Sequence, residues 1–279
     1  MTGFRTFSDF VGLQDFIKKL PRGASIGLVP TMGALHVGHV SLIKRALSEN
    51  DFVVVTLFVN PKQFNKSSDL INYPRVQEED IKLLNSFDRL GLCMPEEQDV
   101  YPVDDPYQRV ELGLLDQVLE GEFRPGHFDG VAHVVHNLIQ LIQPKRAYFG
   151  LKDAQQLAVI KLMVRSTQLP VQVVACETVR DAGGLALSSR NSLLSKEKII
   201  ASLVIYKTLT FVKDNVRIIG AEETKKQAAA LFSNSSLTLE YIDLVNRDSF
   251  QPFDDSDPYG LCCIAAYCDG VRLIDNVLF

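Results

Sequence analysis

The chain has no excess of positive charge: 29 lysines and arginines stand against 34 aspartates and glutamates, a formal net charge of −5. General nucleic-acid binders are usually basic, so that class is not expected, although a local cationic pocket stays open. Long apolar runs are also missing. No stretch approaches the roughly 20 apolar residues that span a bilayer. The segment Met1 to Leu20 holds no apolar run of signal-peptide length. A soluble, cytoplasmic protein with no membrane or nucleic-acid partner is therefore expected. Cysteine is sparse. Cys93, Cys176, Cys262, Cys263 and Cys268 are odd in number and lack metal-type spacing, which points to reduced, mostly buried thiols. There is no Gly-x-Ser-x-Gly elbow and no Gly-x-x-x-x-Gly-Lys-Ser/Thr loop, so covalent catalysis by serine or cysteine has no support. Internal repeats and low-complexity segments are absent.

What is present suits a sizeable core: 279 residues, 46% of them hydrophobic, which suggests two domains. Apolar patterning predicts strands at Ser25–Val29 and Phe52–Val59, with a helix from Gly38 to Leu47 between them. Phe52–Val59 lacks strict alternation, as expected of a parallel strand covered on both faces. Helices are predicted at Val76–Leu90, closed by Gly91, at Phe128–Ile142, closed by Pro144, and at Ala154–Ser166. Short strands are predicted at Ala147–Phe149 and Val171–Cys176. Alternating strands and helices imply βαβ units and a parallel sheet. After Thr178 the texture changes. Helices at Lys196–Val212 and Ala221–Phe232 precede strands at Leu237–Val245, Leu261–Tyr267 and Val271–Ile274. The expected fold class is α/β, with an N-terminal domain over 1–178 and a smaller α+β domain over 179–279.

Five loops carry groups suited to chemistry. In Pro30-Thr31-Met32-Gly33-Ala34-Leu35-His36-Val37-Gly38-His39, two histidines three apart flank a helix start. A helix N-terminus favours an anion, and Gly33 and Gly38 allow close backbone approach. Two surface histidines beside a turn is the plainer reading. Zinc is disfavoured, because the glutamate of a His-Glu-x-x-His motif is missing. Asn60-Pro61-Lys62-Gln63 follows a strand, where open α/β sheets bind ligands, or it is an ordinary turn. Asp69 can help hold magnesium beside a phosphate, or belong to a loop and helix start. Gly150-Leu151-Lys152-Asp153 opens a helix. Lys152 can neutralise phosphate and Gln156 can face a small polar substrate, while Asp153 serves equally well as an N-cap. Gly183 to Asn191 sets two hydroxyls and a guanidinium after a glycine pair, which suits a phosphate wrap, a flexible interdomain linker or a moving lid. His127, His133 and His136 lie close in sequence, but no carboxylate or cysteine completes a familiar metal spacing.

In order and spacing these elements closely resemble the pantothenate synthetase (pantoate–β-alanine ligase) family. The matching runs are Pro-Thr-Met-Gly-Ala-Leu-His-x-Gly-His at 30–39, Asn-Pro-x-Gln-Phe at 60–64 and Tyr-Pro-Arg at 73–75. Glu-Gly-x-x-Arg-Pro-Gly-His-Phe-x-Gly-Val at 120–131, Gly-x-Lys-Asp-x-Gln-Gln at 150–156 and Leu-Ser-Ser-Arg-Asn at 187–191 complete the set. Two positions depart from the family pattern: Leu151 replaces a usual glutamate, and Ser68 a common acidic residue. Backbone contacts are expected to carry the nucleotide at 151, so little loss is anticipated there.

The resemblance implies a Rossmann-like parallel-sheet domain of the nucleotidylyltransferase superfamily and a smaller C-terminal domain that closes over the site. It implies an ATP-dependent ligase that joins pantoate to β-alanine through a pantoyl adenylate, releasing AMP and pyrophosphate. Catalytic roles fall to His36, His39, Lys152 and Arg190, with His39 as proton donor. ATP is expected along Met32, Gly33, Ala34, Leu35, His36, Val37, Gly38 and His39. It is also expected at Gly150, Leu151, Lys152, Asp153 and Val179, and at Leu187, Ser188, Ser189 and Arg190. Gln63 and Gln156 are expected at pantoate, and Gln63 also near β-alanine. Magnesium bridging phosphates and a homodimer are likewise implied. A nucleotidyltransferase that releases a stable adenylylated product shares the histidine motif. Gln63, Gln156 and the C-terminal domain favour the ligase. A nucleotide-binding module without turnover is disfavoured by the intact Lys152, Arg190 and histidine set.

Overall fold

The computed structural model describes residues 3–65 and 67–279. In chain order the elements are β1 (Phe4–Phe7), α1 (Phe10–Ile17), β2 (Ile26–Thr31), α2 (Val37–Glu49), β3 (Phe52–Leu57), α3 (Ser67–Ile71), α4 (Gln77–Leu84), β4 (Leu90–Cys93), α5 (Glu97–Val100) and α6 (Glu120–Phe123). They continue with α7 (His127–Ile142), β5 (Arg146–Gly150), α8 (Ala154–Ser166), β6 (Gln172–Cys176), α9 (Lys196–Ile219), α10 (Ala221–Ser233), β7 (Thr238–Asn246), β8 (Gly260–Cys268) and β9 (Val271–Leu278). No described helix is long and apolar enough to cross a membrane.

Two compact units divide the chain. The first runs to Leu112 and adds Arg124–Leu151 and Gln155–Glu177. It is built on a six-stranded sheet in the order β1-β4-β3-β2-β5-β6, every pairing parallel. β2 and β3 are buried at nearly every position, as strands covered on both faces must be. Val29, Ile43, Val53, Val55, Leu90 and Leu92 form one core, with α2 laid across β2 and β3. Between β2 and β5 the order changes direction: β3 lies on one side of β2, and β5 on the other. The loops after β2 and β5 therefore leave adjacent strands at the sheet's topological switch point, where open α/β sheets bind ligands.

The second unit comprises Gly113–Phe123, Lys152–Ala154 and Thr178–Phe279. Its sheet is the antiparallel meander β7-β8-β9, with β8 central and almost wholly buried. Ile205, Leu209, Val212 and Val216 from α9 and Phe232 from α10 pack with Ile264 and Ala266 of β8. Arg272 of β9 ties the 113–123 segment to this sheet. Its guanidinium donates to both Glu120 oxygens at 2.7 Å and also to Glu240, and the Tyr241 hydroxyl donates to Glu120 at 2.7 Å.

The structure departs from the sequence reading at several elements. The helix predicted at Val76–Leu90 ends at Leu84, and Gly91 is no helix stop but the second residue of β4. A Cβ on Gly91 would lie 2.9 Å from the Phe7 ring and 3.1 Å from Phe52, so glycine is there for close packing across the sheet. β1 and α1 were not foreseen; the middle of β1 is exposed and gives little apolar signal. α9 continues to Ile219 and β9 to Leu278. All five cysteines are buried and unbridged. Burial pushes the Cys93 thiol up to about 12 and raises those of Cys262 and Cys263 as well, so these three are not thiolates near neutrality.

Candidate active site

The loop between β2 and α2 is shaped by short bonds. The Thr31 hydroxyl donates to the Thr56 carbonyl at 2.7 Å and accepts from the Gly33 N–H at 3.2 Å. Gly33 (φ 81°) and Ala34 (φ 50°) then turn through the left-handed region, which is costly for alanine. Asp80 of α4 holds that turn. It is 2% exposed, and its two oxygens accept from the Ala34 N–H at 2.9 Å and the Leu35 N–H at 2.7 Å. Burial pushes the Asp80 carboxyl up, against the opposing pull of those two N–H groups. No sequence motif marked Asp80, which follows Glu78 and Glu79 in an acidic first turn.

His36 is the N-cap of α2, and His39 caps it reciprocally. His36 Nδ1 accepts from the Gly38 N–H at 3.1 Å; His39 Nδ1 accepts from the His36 N–H at 3.2 Å. A nitrogen that accepts carries no proton, so both neutral rings hold their proton on Nε2. The ring centroids stand 4.1 Å apart. Two Nε2–H donors thus accompany the positive end of a 13-residue helix, a combination that suits an anion.

Gln63 sits in the turn after β3 and is 9% exposed. Its Nε2 approaches Met32 Sδ at 3.1 Å, joining this turn to the β2 loop, and its Oε1 accepts from Asn60 at 3.0 Å. The Arg-Pro-Gly-His segment at 124–127 forms its support. His127 Nδ1 donates to the Gln63 carbonyl at 2.8 Å, and His127 Nε2 accepts from Arg124 at 3.1 Å. A Cβ on Gly130 would collide with the Lys62 carbonyl, so α7 meets the turn backbone to backbone. His133 and His136 bond instead to Asp105 and Asn137. Asp69 is half-buried on α3, and Gln156 is half-buried in the first turn of α8. Among the described residues no group of three or more His, Cys, Asp or Glu is placed to hold a metal ion.

The second unit organises the other candidates. Lys152 lies within a 3-10 turn, Leu151–Asp153, its ammonium 3.5 Å from Asp153. The Lys152 carbonyl accepts from the Asn276 side chain at 2.7 Å. Val179 accepts from the Leu187 N–H at 3.0 Å, and Arg180 bridges Ala186, so 179–187 is a hydrogen-bonded turn and not an open linker. Ser188 caps the 3-10 helix Ser189–Leu193 by accepting from the Arg190 N–H at 3.3 Å. Arg180 and Asp275 pair beneath this turn; neither drew attention in the sequence, because their partners are remote.

The chain matches the family model for pantoate-beta-alanine ligase over residues 5–278. It belongs to that family. It is similar to the pantothenate synthetase of Bacteroides fragilis, 44% identical over 264 residues that cover 92% of each chain. A pantothenate synthetase structure from Thermus thermophilus superposes with a TM-score of 0.89 at 40% identity, covering 98% of both chains. The pantoate–β-alanine ligase of Francisella tularensis, solved with β,γ-ATP and β-alanine, gives a TM-score of 0.80 at 36% identity, covering 99% of this chain and 97% of that one. The chain is accordingly an enzyme, an ATP-dependent ligase of pantoate and β-alanine. The ligase has no activated nucleophile of its own among the residues just described. What the first unit offers is donors: two imidazoles at a helix terminus and the amide side chain of Gln63.

Proposed function

We propose that the ligase works through a pantoyl adenylate, with His36 and His39 aligning and stabilising the phosphates. A pantoate carboxylate oxygen attacks the α-phosphorus, and pyrophosphate leaves. The β-alanine amine then attacks the acyl carbon of the mixed anhydride; AMP leaves and the amine gives up a proton. The first step needs charge neutralisation and alignment more than a protein nucleophile. The observation that carries this reading is the reciprocal capping of His36 and His39, which fixes both imidazoles at the N-terminus of α2, on a loop that leaves the switch point. His39 serves as proton donor to the departing phosphate. Lys152, Arg190, Ser188 and Ser189 supply charge-assisted hydrogen bonds to phosphate. Gly150, Leu151, Asp153, Val179 and Leu187 hold the nucleotide, largely through backbone. Gln63 and Gln156 take pantoate by its hydroxyls and carboxylate, and Gln63 also lies at β-alanine.

Magnesium, when bound, would supply neutralisation of phosphate charge. Asp69 offers a single carboxylate, which fits an ion whose other ligands are phosphate oxygens and waters. A cytoplasmic homodimer is the proposed working form, and light scattering in solution tests the dimer. Exchange of labelled pyrophosphate into ATP tests the chemistry. Exchange should require pantoate, and AMP should accumulate only after β-alanine is added. ATP binding without pantoate-dependent exchange would rule the adenylate out.

A further inference from the structure

We infer that Asn276 of β9 is a positioning residue for Lys152, and that its neighbour Asp275 performs the same task for the Val179–Leu187 turn. The inference rests on the nucleotide-binding role proposed above for those two segments. The Leu151–Asp153 turn is a single 3-10 turn, three residues long. Its Lys152 carbonyl takes a 2.7 Å bond from an amide 124 residues away. That amide is firmly based. Asn276 pairs with Cys263 of buried β8, its N–H donates to Asp275 at 2.8 Å, and its carbonyl accepts from Arg180 at 3.2 Å.

Asp275 is 4% exposed, and burying a carboxylate requires a partner. Arg180 supplies one through both terminal nitrogens, the Nη2 bond measuring 2.9 Å. The same guanidinium donates to the Gly184 carbonyl at 3.0 Å and lies 4.7 Å over the Tyr206 ring. One planar fork therefore joins the start and the apex of the 179–187 turn to β9. A lysine side chain is long and mobile, so fixing its backbone sets where the ammonium can reach. A misplacement of about 1 Å in such a group can lower a rate about a hundredfold.

The test is a double-mutant cycle on pantoate-dependent pyrophosphate exchange, with amide hydrogen exchange read over 150–156. Asn276→Ala should lower kcat/KM for ATP about tenfold and speed amide exchange in that segment, with Tm nearly kept. In the Lys152→Ala background the further loss should be under about twofold, because the two residues act through one ammonium. Losses that multiply, or unchanged amide exchange, overturn the positioning role. Full activity in Lys152→Ala would instead remove the phosphate role of Lys152, and the functional half of this inference with it. If Asn276→Ala does not fold, Asn276→Asp, similar in size but without the donating amide, carries the same cycle. Arg180→Lys keeps the charge and loses the fork; it should raise KM for ATP severalfold, and an unchanged KM overturns the Asp275 half.

Discussion

The His36–His39 loop and the Lys152 and Val179–Leu187 segments are proposed to serve one nucleotide, yet they are held by opposite means. Around the histidines the bonds are local: His36 bonds two residues ahead and His39 three residues back, with one distant carboxylate, Asp80, beneath the turn. Around Lys152 and Arg180 the anchoring partners lie 124 and 95 residues away, on the last strand of the chain. The first arrangement needs a strand, a turn and a helix. The second needs a finished second unit. The first can form with its own backbone, the second only once the last strand of the chain is in place.

The strongest test of that contrast is Asp275→Ala. It leaves the Arg180 guanidinium, 20% exposed, without its buried partner, and unfolding in urea should show a loss of about 3–5 kcal/mol. A change below about 1 kcal/mol would make the remote anchor dispensable. His39→Ala should show the reverse profile. Pyrophosphate exchange should fall about 10²–10³-fold, while stability drops by about 1 kcal/mol for one lost cap. Equal damage to folding and activity would erase the distinction between the halves.

Gly130→Ala probes the support under Gln63. The new methyl group meets the Lys62 carbonyl, so stability should fall by about 1–3 kcal/mol. KM should rise for pantoate and not for ATP; a pantoate KM that stays put would show that the turn does not depend on α7. The smallest effect belongs to Asp80. Its folded-state pKa lies above the ordinary 3.8, so the folded protein holds that proton more tightly than the unfolded chain. The Asp80 contribution to stability is then present below pH 3.8 and falls as pH rises through the folded value. The stability difference between wild type and Asp80→Asn, followed by urea titration at several acid pH values, should shrink as pH rises through that window. A difference flat with pH would mean that Asp80 ionises in the fold as easily as in the open chain.

Much of the parallel sheet could be read directly, and the reason is periodicity. β3 is a β-branched run buried on both faces, and α2 shows helical spacing behind its cap. The stretch 76–90 misled because Phe87 continues the apolar face of Ile81 and Leu84 after the helix has ended. β4 is only four residues, and its glycine reads as a stop until Phe7 and Phe52 are seen to press against it. Likewise, Arg124, His127 and Gly130 stood out as a motif, but their purpose, cradling Gln63, was invisible without the α7 packing.

By itself the sequence determined the longer elements, the parallel character of the first sheet, and the strand–turn–helix carrying His36 and His39, because capping and periodicity act within one or two turns. Tertiary structure decided which of three adjacent acids lies under the loop, what supports Gln63, and that β9 anchors Lys152 and the 179–187 turn. Those pairings close loops of tens to more than a hundred residues. Closing such loops costs chain entropy that local propensity does not supply, so only the order of strands and the packing of helices can select the partner.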